Sequence, residues 1–189
     1  MSRTLKLCSV MVAALVVVAF AQAWAATPEE LAKESEAKCV ATAKDKPTAE
    51  TIMAKVNKAA ALLEKDGDAA LPKFQGKDSE FIFSGTYIWI HDLQPVMLMH
   101  PIKHQLNGKN IATGFKLPDG RELFVMMNKD LARKNGACWV HYLWPKPGET
   151  AASQKLSYIK LAKKGDKSYV VGCGSYDLTT ADVEKVAAK

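Results

Sequence analysis

The chain has 189 residues, with 26 Lys and Arg against 20 Asp and Glu, a net charge of +6. That length suits one domain able to bury a sizeable core. The lysines are scattered, with no basic stripe and no RNA-binding motif, which excludes nucleic-acid recognition as the main role; the mild positive balance still favours an anionic ligand over a cationic one.

The chain opens on a leader. Arg3 and Lys6 precede an apolar stretch from Leu7 to Phe20, and Ala23-Trp24-Ala25 follows with the small-x-small pattern of a cleavage site. A membrane-crossing helix needs about 20 apolar residues, more than this stretch offers. Residues 1–25 therefore read as a signal peptide cleaved after Ala25, and residues 26–189 as an exported, periplasmic or secreted domain with no second apolar stretch of membrane length. Cys8 leaves with the leader.

Thr27-Pro28-Glu29-Glu30 is a helix start, with a capping hydroxyl, proline in the first turn and acids against the helix dipole. That helix is predicted to reach about Lys44, where Asp45-Lys46-Pro47 interrupts it. A second begins at Thr48 and carries Ile52, Val56, Ala59 and Leu63 at helical spacing, and Asp66-Gly67-Asp68 recaps a short helix through Phe74. The period then changes. Thr86 to His91 alternates, with Tyr87, Trp89 and His91 on one face and Ile88 and Ile90 on the other; a turn at Asp92–Pro95 returns Val96 to His100 as a partner strand. Residues 101–118 form a long loop, a feature that in a compact domain is often functional. A helix follows with Leu123, Met126, Met127 and Leu131, stopped by Asn135-Gly136. Cys138–Trp144, Gln154–Ala162 and Ser168–Gly174 are three strands joined by a proline-rich and a Lys-Gly-Asp turn, and a polar helix from Thr179 to Ala188 closes the chain. The fold class is α+β: one five-stranded antiparallel sheet, the long N-terminal helices on one face and the middle helix on part of the other. Such a sheet, incompletely covered and crossed by a long loop, leaves room for a ligand pocket.

This pattern resembles a single Cache domain, the extracytoplasmic sensor module with a PAS-like sheet found in bacterial chemoreceptors and sensor kinases. The resemblance spans roughly Ala32 to Asp177. It is carried by GTYIWIHDLQPVMLMHP (85–101), LNGKN (106–110), DGRELF (119–124), GACWVHYLWPKPG (136–148), KLSYIKLA (155–162) and YVVGCGSYD (169–177). Receptors of the family continue into a transmembrane helix and a signalling domain, so this chain looks like a stand-alone, secreted version. Cys138 and Cys173 stand where the family usually has small residues.

The cysteine count points to a disulfide, and the resemblance bears on which pair forms it. Three cysteines remain after the leader, enough for one bond and one spare thiol in an oxidising compartment. In such folds the strands carrying Cys138 and Cys173 run parallel with one strand between, which puts those two cysteines at opposite ends of the sheet and beyond bonding reach. The N-terminal helix of a Cache domain begins near the end of the last strand, so Cys39–Cys173 is the expected pair, with Cys39–Cys138 next and three buried thiols as the alternative to any bond.

The resemblance also places the ligand beside the 138–144 strand and its following turn. Val140, Tyr142 and Trp144 share one face of that strand; Trp139, His141 and Leu143 share the other. Tyr142 and Trp144 are expected on the pocket side. Tyr87, His100, Phe124, Lys146, Lys155 and Tyr158 complete the expected ligand set, with His100, Lys146 and Lys155 as the cationic or donor groups for a small anion. The implied function is a periplasmic small-molecule sensory module. It would take a short carboxylate or similar metabolite and act through a separate membrane or signalling partner, with chemotaxis as the setting. The alternative is a structural or interaction protein whose pocket is closed by side chains and which binds a protein partner. No enzyme activity is expected: Cys138 and His141, three apart on a strand, face opposite ways. No cofactor or metal is expected either, since there is no CxxC, no haem motif and no zinc-type spacing.

Overall fold

The computed structural model describes residues 26–187. The leader, with its expected cleavage after Ala25, lies outside the described residues. Helix α1 (Pro28–Ala41) starts where the sequence predicts. The Thr27 side chain accepts from the Glu30 N–H at 3.2 Å and the Glu30 carboxylate accepts from the Thr27 N–H at 2.8 Å, a reciprocal capping box. Helix α2 (Ala49–Asp66) is capped by Thr48 and stopped at Gly67, whose φ of 62° suits glycine. A 3-10 segment, Gly67–Phe74, leads out of it.

Seven strands follow. The short strands β1 (Ile82–Phe83) and β2 (Thr86–Tyr87) pair only with each other. The five-stranded sheet contains β3 (Trp89–His91), β4 (Met97–Met99), β5 (Ala137–Pro145), β6 (Ala152–Lys164) and β7 (Lys167–Ser175), in the order β4-β3-β7-β6-β5. Every pairing is antiparallel. Helix α3 (Leu123–Arg133) precedes β5, and α4 (Thr180–Ala187) follows β7.

The sheet divides two cores, and the alternation along each strand decides which side chain enters which. On one side, Ile52, Val56, Ala59 and Leu63 of α2 meet Ile88, Ile90, Tyr158, Tyr169, Val171 and Cys173. Each large aliphatic side chain so buried contributes about 2 kcal/mol of transfer free energy. On the other side, α3 sets Leu123, Phe124, Met127 and Leu131 against Tyr87, Trp89, Val140, Tyr142, Trp144 and Val170. Of the two N-terminal helices it is α2 that lies along β6 and β7; α1 packs on the β1–β2 hairpin instead.

The long loop is more ordered than its composition suggests. The Met97 N–H donates to the Lys109 carbonyl at 3.0 Å and the Gly108 N–H to the Met97 carbonyl at 2.7 Å, so LNGKN folds back along β4 and covers its edge.

The cysteines correct two expectations. Cys138 and Gly172 both sit opposite Ile159, so Cys138 and Cys173 lie within one residue of the same level, not at opposite ends. The reason is that β5 and β7 are staggered along the longer β6. Two strand spacings still separate them by about 9.5 Å, beyond disulfide reach. The Cys39–Cys173 bond is not formed either; Cys39, Cys138 and Cys173 are all free. Cys39 packs with Tyr87 and Trp89 on the α3 side, and Cys173 belongs to the α2 side.

Gly172 is required by contact rather than by turn geometry. A Cβ there would lie 2.2 Å from the Trp89 ring. Gly172→Ala is predicted to lower unfolding free energy by about 1–3 kcal/mol, read from urea denaturation. The penalty should largely vanish in a Trp89→Leu background; an equal penalty in both backgrounds would contradict this packing account.

Candidate functional site

The α3-side core closes around a small cage. Tyr87, Trp89, His100, Phe124, Tyr142, Trp144 and Lys155 line a cavity of about 10 Å³, space for about one water. Each arrives by a distinct local rule. Tyr87 and Trp89 lie two apart on the extended β2–β3 run, and Tyr142 and Trp144 two apart on β5, so each pair faces the same way. Lys155 of β6 is the ladder partner of Tyr142. Phe124 comes from the first turn of α3, and His100 from the end of β4.

Lys155 dominates the electrostatics. Its residue is 1% exposed, and its ammonium has no hydrogen-bond partner among the described residues. It stands over the rings of Tyr87, Tyr176 and Trp89, with Nζ 4.4, 4.9 and 5.3 Å from their centroids. Ring quadrupoles attract a cation but do not neutralise it. Burial accordingly pushes Lys155 down from the ordinary lysine range to about 8. The Trp89 indole N–H is a second buried donor with no partner among the described residues.

His100 is buried and its role is fixed by the backbone. Its Nδ1 accepts from the Lys103 N–H at 2.9 Å and the Ile102 N–H at 3.3 Å. The neutral ring therefore carries its proton on Nε2. Burial first, then the charges of Lys155 and Lys103, hold it neutral well below the usual imidazole range. The ring stacks on Trp144 at 5.9 Å and tilts against Tyr87 at 5.0 Å. Tyr142 shares a hydrogen bond with Ser157 Oγ at 3.1 Å, and burial raises its phenol, so it stays protonated. The lining holds a cation and several donors and no acidic residue. Chemically it can stabilise a small anion and repel an amine.

Six of the eight expected ligand residues meet here: Tyr87, His100, Phe124, Tyr142, Trp144 and Lys155. Two do not. Tyr158 lies three positions from Lys155 on the same strand and so faces α2, packing against Trp139 with centroids 5.4 Å apart. Lys146 is half-buried in the turn after β5 and borders an outer cavity instead. Trp89 lines the cage as well, on the face it shares with Tyr87, and is outside the expected set. Tyr176, beyond the last strand, carried no sequence signal beyond its place in YVVGCGSYD.

The cage thus sets one buried cation among aromatic rings and neutral donors. Cys138, the one cysteine only half-buried, has its thiol pushed up by burial to about 11, far from a reactive thiolate. The sequence profile of the Cache domain family matches residues 76–182, more than half of the chain, and the chain belongs to that family.

A solved structure described as the basis for carboxylic acid recognition by a Cache chemosensory domain is 31% identical, with a TM-score of 0.57, covering 69% of this chain and 93% of its own. A methyl-accepting chemotaxis protein from Vibrio parahaemolyticus is 25% identical with a TM-score of 0.52, covering 78% and 96%. The methyl-accepting chemotaxis protein McpP of Pseudomonas putida is 40% identical over 90 residues, 48% of this chain; that match takes in only 16% of the receptor. Cache domains are extracytoplasmic sensor modules, and among the described residues no helix is long and apolar enough to cross a membrane.

The buried histidines set an acid limit on stability. His91, whose Nε2 meets Asn128 at 3.1 Å, is lowered by burial to about 4. An unfolded histidine titrates near 6.5. Between those values the unfolded chain binds more protons, so stability falls as pH drops from about 6.5 towards 4. Urea unfolding across that range should show the loss, and His91→Gln should reduce the slope, leaving the part that the equally buried His100 contributes; an unchanged slope in the variant would contradict the assignment.

Proposed function

We propose that this domain is a periplasmic sensor for a short monocarboxylic acid, exported by cleavage after Ala25 and relaying occupancy to a separate membrane or signalling partner. The observation that carries the reading is the unpaired, fully buried ammonium of Lys155. A charge removed from water without a counter-charge is costly, and its folded value of about 8 against an ordinary 10.5 corresponds to about 3 kcal/mol at neutral pH. A carboxylate in the cage offsets that penalty directly.

The roles follow from the donors. Lys155 pairs with the carboxylate, and the Trp89 indole N–H and His100 Nε2–H donate to it. Tyr87, Phe124 and Trp144 enclose the alkyl part. The absence of any acid in the lining argues against free amino acids and amines, whose ammonium would meet Lys155. The small volume argues for the shortest acids, and since the cage has room for about one water, its walls must part to admit even these. The carboxylic acid recognition described for the 31%-identical Cache chemosensory domain supports the same chemical class.

A thermal-shift panel of acetate, propionate, pyruvate, glycine and ethylamine tests this. At 100 times its dissociation constant a ligand adds about 2.7 kcal/mol, several degrees for a domain of this size. One or more of the acids should give a saturable rise, and glycine and ethylamine none. Lys155→Met should abolish the rise while stabilising the unliganded protein by up to about 3 kcal/mol. No response to any acid would sink the carboxylate reading and favour the alternative, a cage filled by its own side chains in a protein that binds a protein partner.

A further inference from the structure

Next to the cage lies a second, larger cavity of about 370 Å³, bordered by α1, the β1–β2 turn and the turn after β5. One side chain stands between the two. Tyr176 lines the outer cavity together with Cys39 and Thr86, and Tyr87, the neighbour of Thr86, lines the cage. Lys155, in the cage, has its Nζ 4.9 Å from the Tyr176 ring centroid. Lys146, in the outer cavity, has its Nζ 6.0 Å from the same centroid. The ring is a partition with an ammonium in each compartment.

It packs against the α3-side core from beyond the last strand. Tyr176 is the first residue beyond β7, outside the sheet ladder, and half-buried. Its hydroxyl donates to the Pro145 carbonyl at 2.8 Å. The charged groups of the outer cavity are Lys46, Lys146, Glu149 and Asp177, of which Lys46 and Asp177 pair at 3.0 Å. Cys39, Val40, Ala43 and Pro147 supply apolar wall. A carboxylate held at Lys155 would therefore meet the Tyr176 ring in this direction, and room for a chain lies behind it.

We propose that Tyr176 determines ligand specificity, setting the upper chain length of the acid this domain accepts, and that removing its ring joins the cage to the outer cavity. The inference rests on the carboxylate reading above. With the ring in place the acid must fit the cage alone. Without it, the carboxylate keeps its partner at Lys155 while a longer tail runs between Val40 and Pro147.

Calorimetric titration of the domain with formate, acetate, propionate, butyrate and hexanoate tests this against Tyr176→Ala and Tyr176→Phe. The wild-type protein should lose affinity steeply along the series. Tyr176→Ala should bind butyrate and hexanoate, relative to acetate, at least tenfold better than wild type does. Tyr176→Phe removes the bond to Pro145 but keeps the ring, so it should keep the wild-type cut-off. Should the alanine variant fail to fold, Tyr176→Leu shortens the wall less and should move the cut-off by a smaller step. The same ordering of chain lengths in wild type and in the shortened variants, with acetate still bound, would overturn the role of Tyr176 alone. Binding of no acid by the wild-type protein would overturn the carboxylate reading and this inference with it.

Discussion

The site depends on one constraint: a lysine ammonium is folded into an aromatic core with no counter-charge. The sequence spends three aromatic rings on the ammonium of Lys155 and no carboxylate. That arrangement is poor for stability alone, since a methionine of similar volume would pack there without the desolvation penalty. Under the proposed carboxylate reading it is a poised site, where binding of an anion and relief of the penalty are the same event. The neutral state of His100 follows first from its own burial and then from the same charge. A protonated imidazole beside Lys155 would add a second buried cation, whereas a neutral ring held by two backbone N–H groups offers a donor at no such expense.

The sheet makes the cage possible by keeping two cores apart. The α2 side is a conventional aliphatic core that holds β6 and β7. The α3 side can then give up packing density to a cavity. The glycines of β7 provide the space. A Cβ at Gly172 would enter the Trp89 ring, and one at Gly174 would lie 1.9 Å from Ser157 Oγ, the partner of Tyr142. Both cage walls thus lie against glycine, which fixes where Trp89 and Tyr142 sit before any ligand is considered. The loop 101–118 completes the enclosure. Phe115 packs on Trp144 with centroids 5.3 Å apart and Lys103 stands 6.0 Å from the same ring, so the loop closes the wall that β5 begins.

Much of this was legible because strand alternation is strict. The face shared by Tyr87, Trp89 and His91, and that shared by Val140, Tyr142 and Trp144, could be read directly from the sequence. The helix starts at Thr27 and Thr48 were equally plain from their capping residues. What failed did so for physical reasons. Tyr158 was placed beside Lys155, although three residues along a strand reverse the face. The cysteine geometry assumed strands of equal length in register, and the stagger of β5 and β7 on β6 is a tertiary property with no local signal. Lys146 carries the right charge in a turn whose direction only the fold decides. The glycines of β7 were visible as VGCGS, but their meaning depends on the ring that crosses them.

The central claim is that the Lys155 charge is buried without a counter-charge and that the ligand supplies one. Nuclear magnetic resonance of the Lys155 side chain, titrated against pH with and without saturating acetate or propionate, tests it most directly. The account predicts a midpoint near 8 in the unliganded protein, moving upward, towards the ordinary lysine value, when the acid is bound. A midpoint near 10.5 without ligand, or one that a bound acid leaves unmoved, would contradict it.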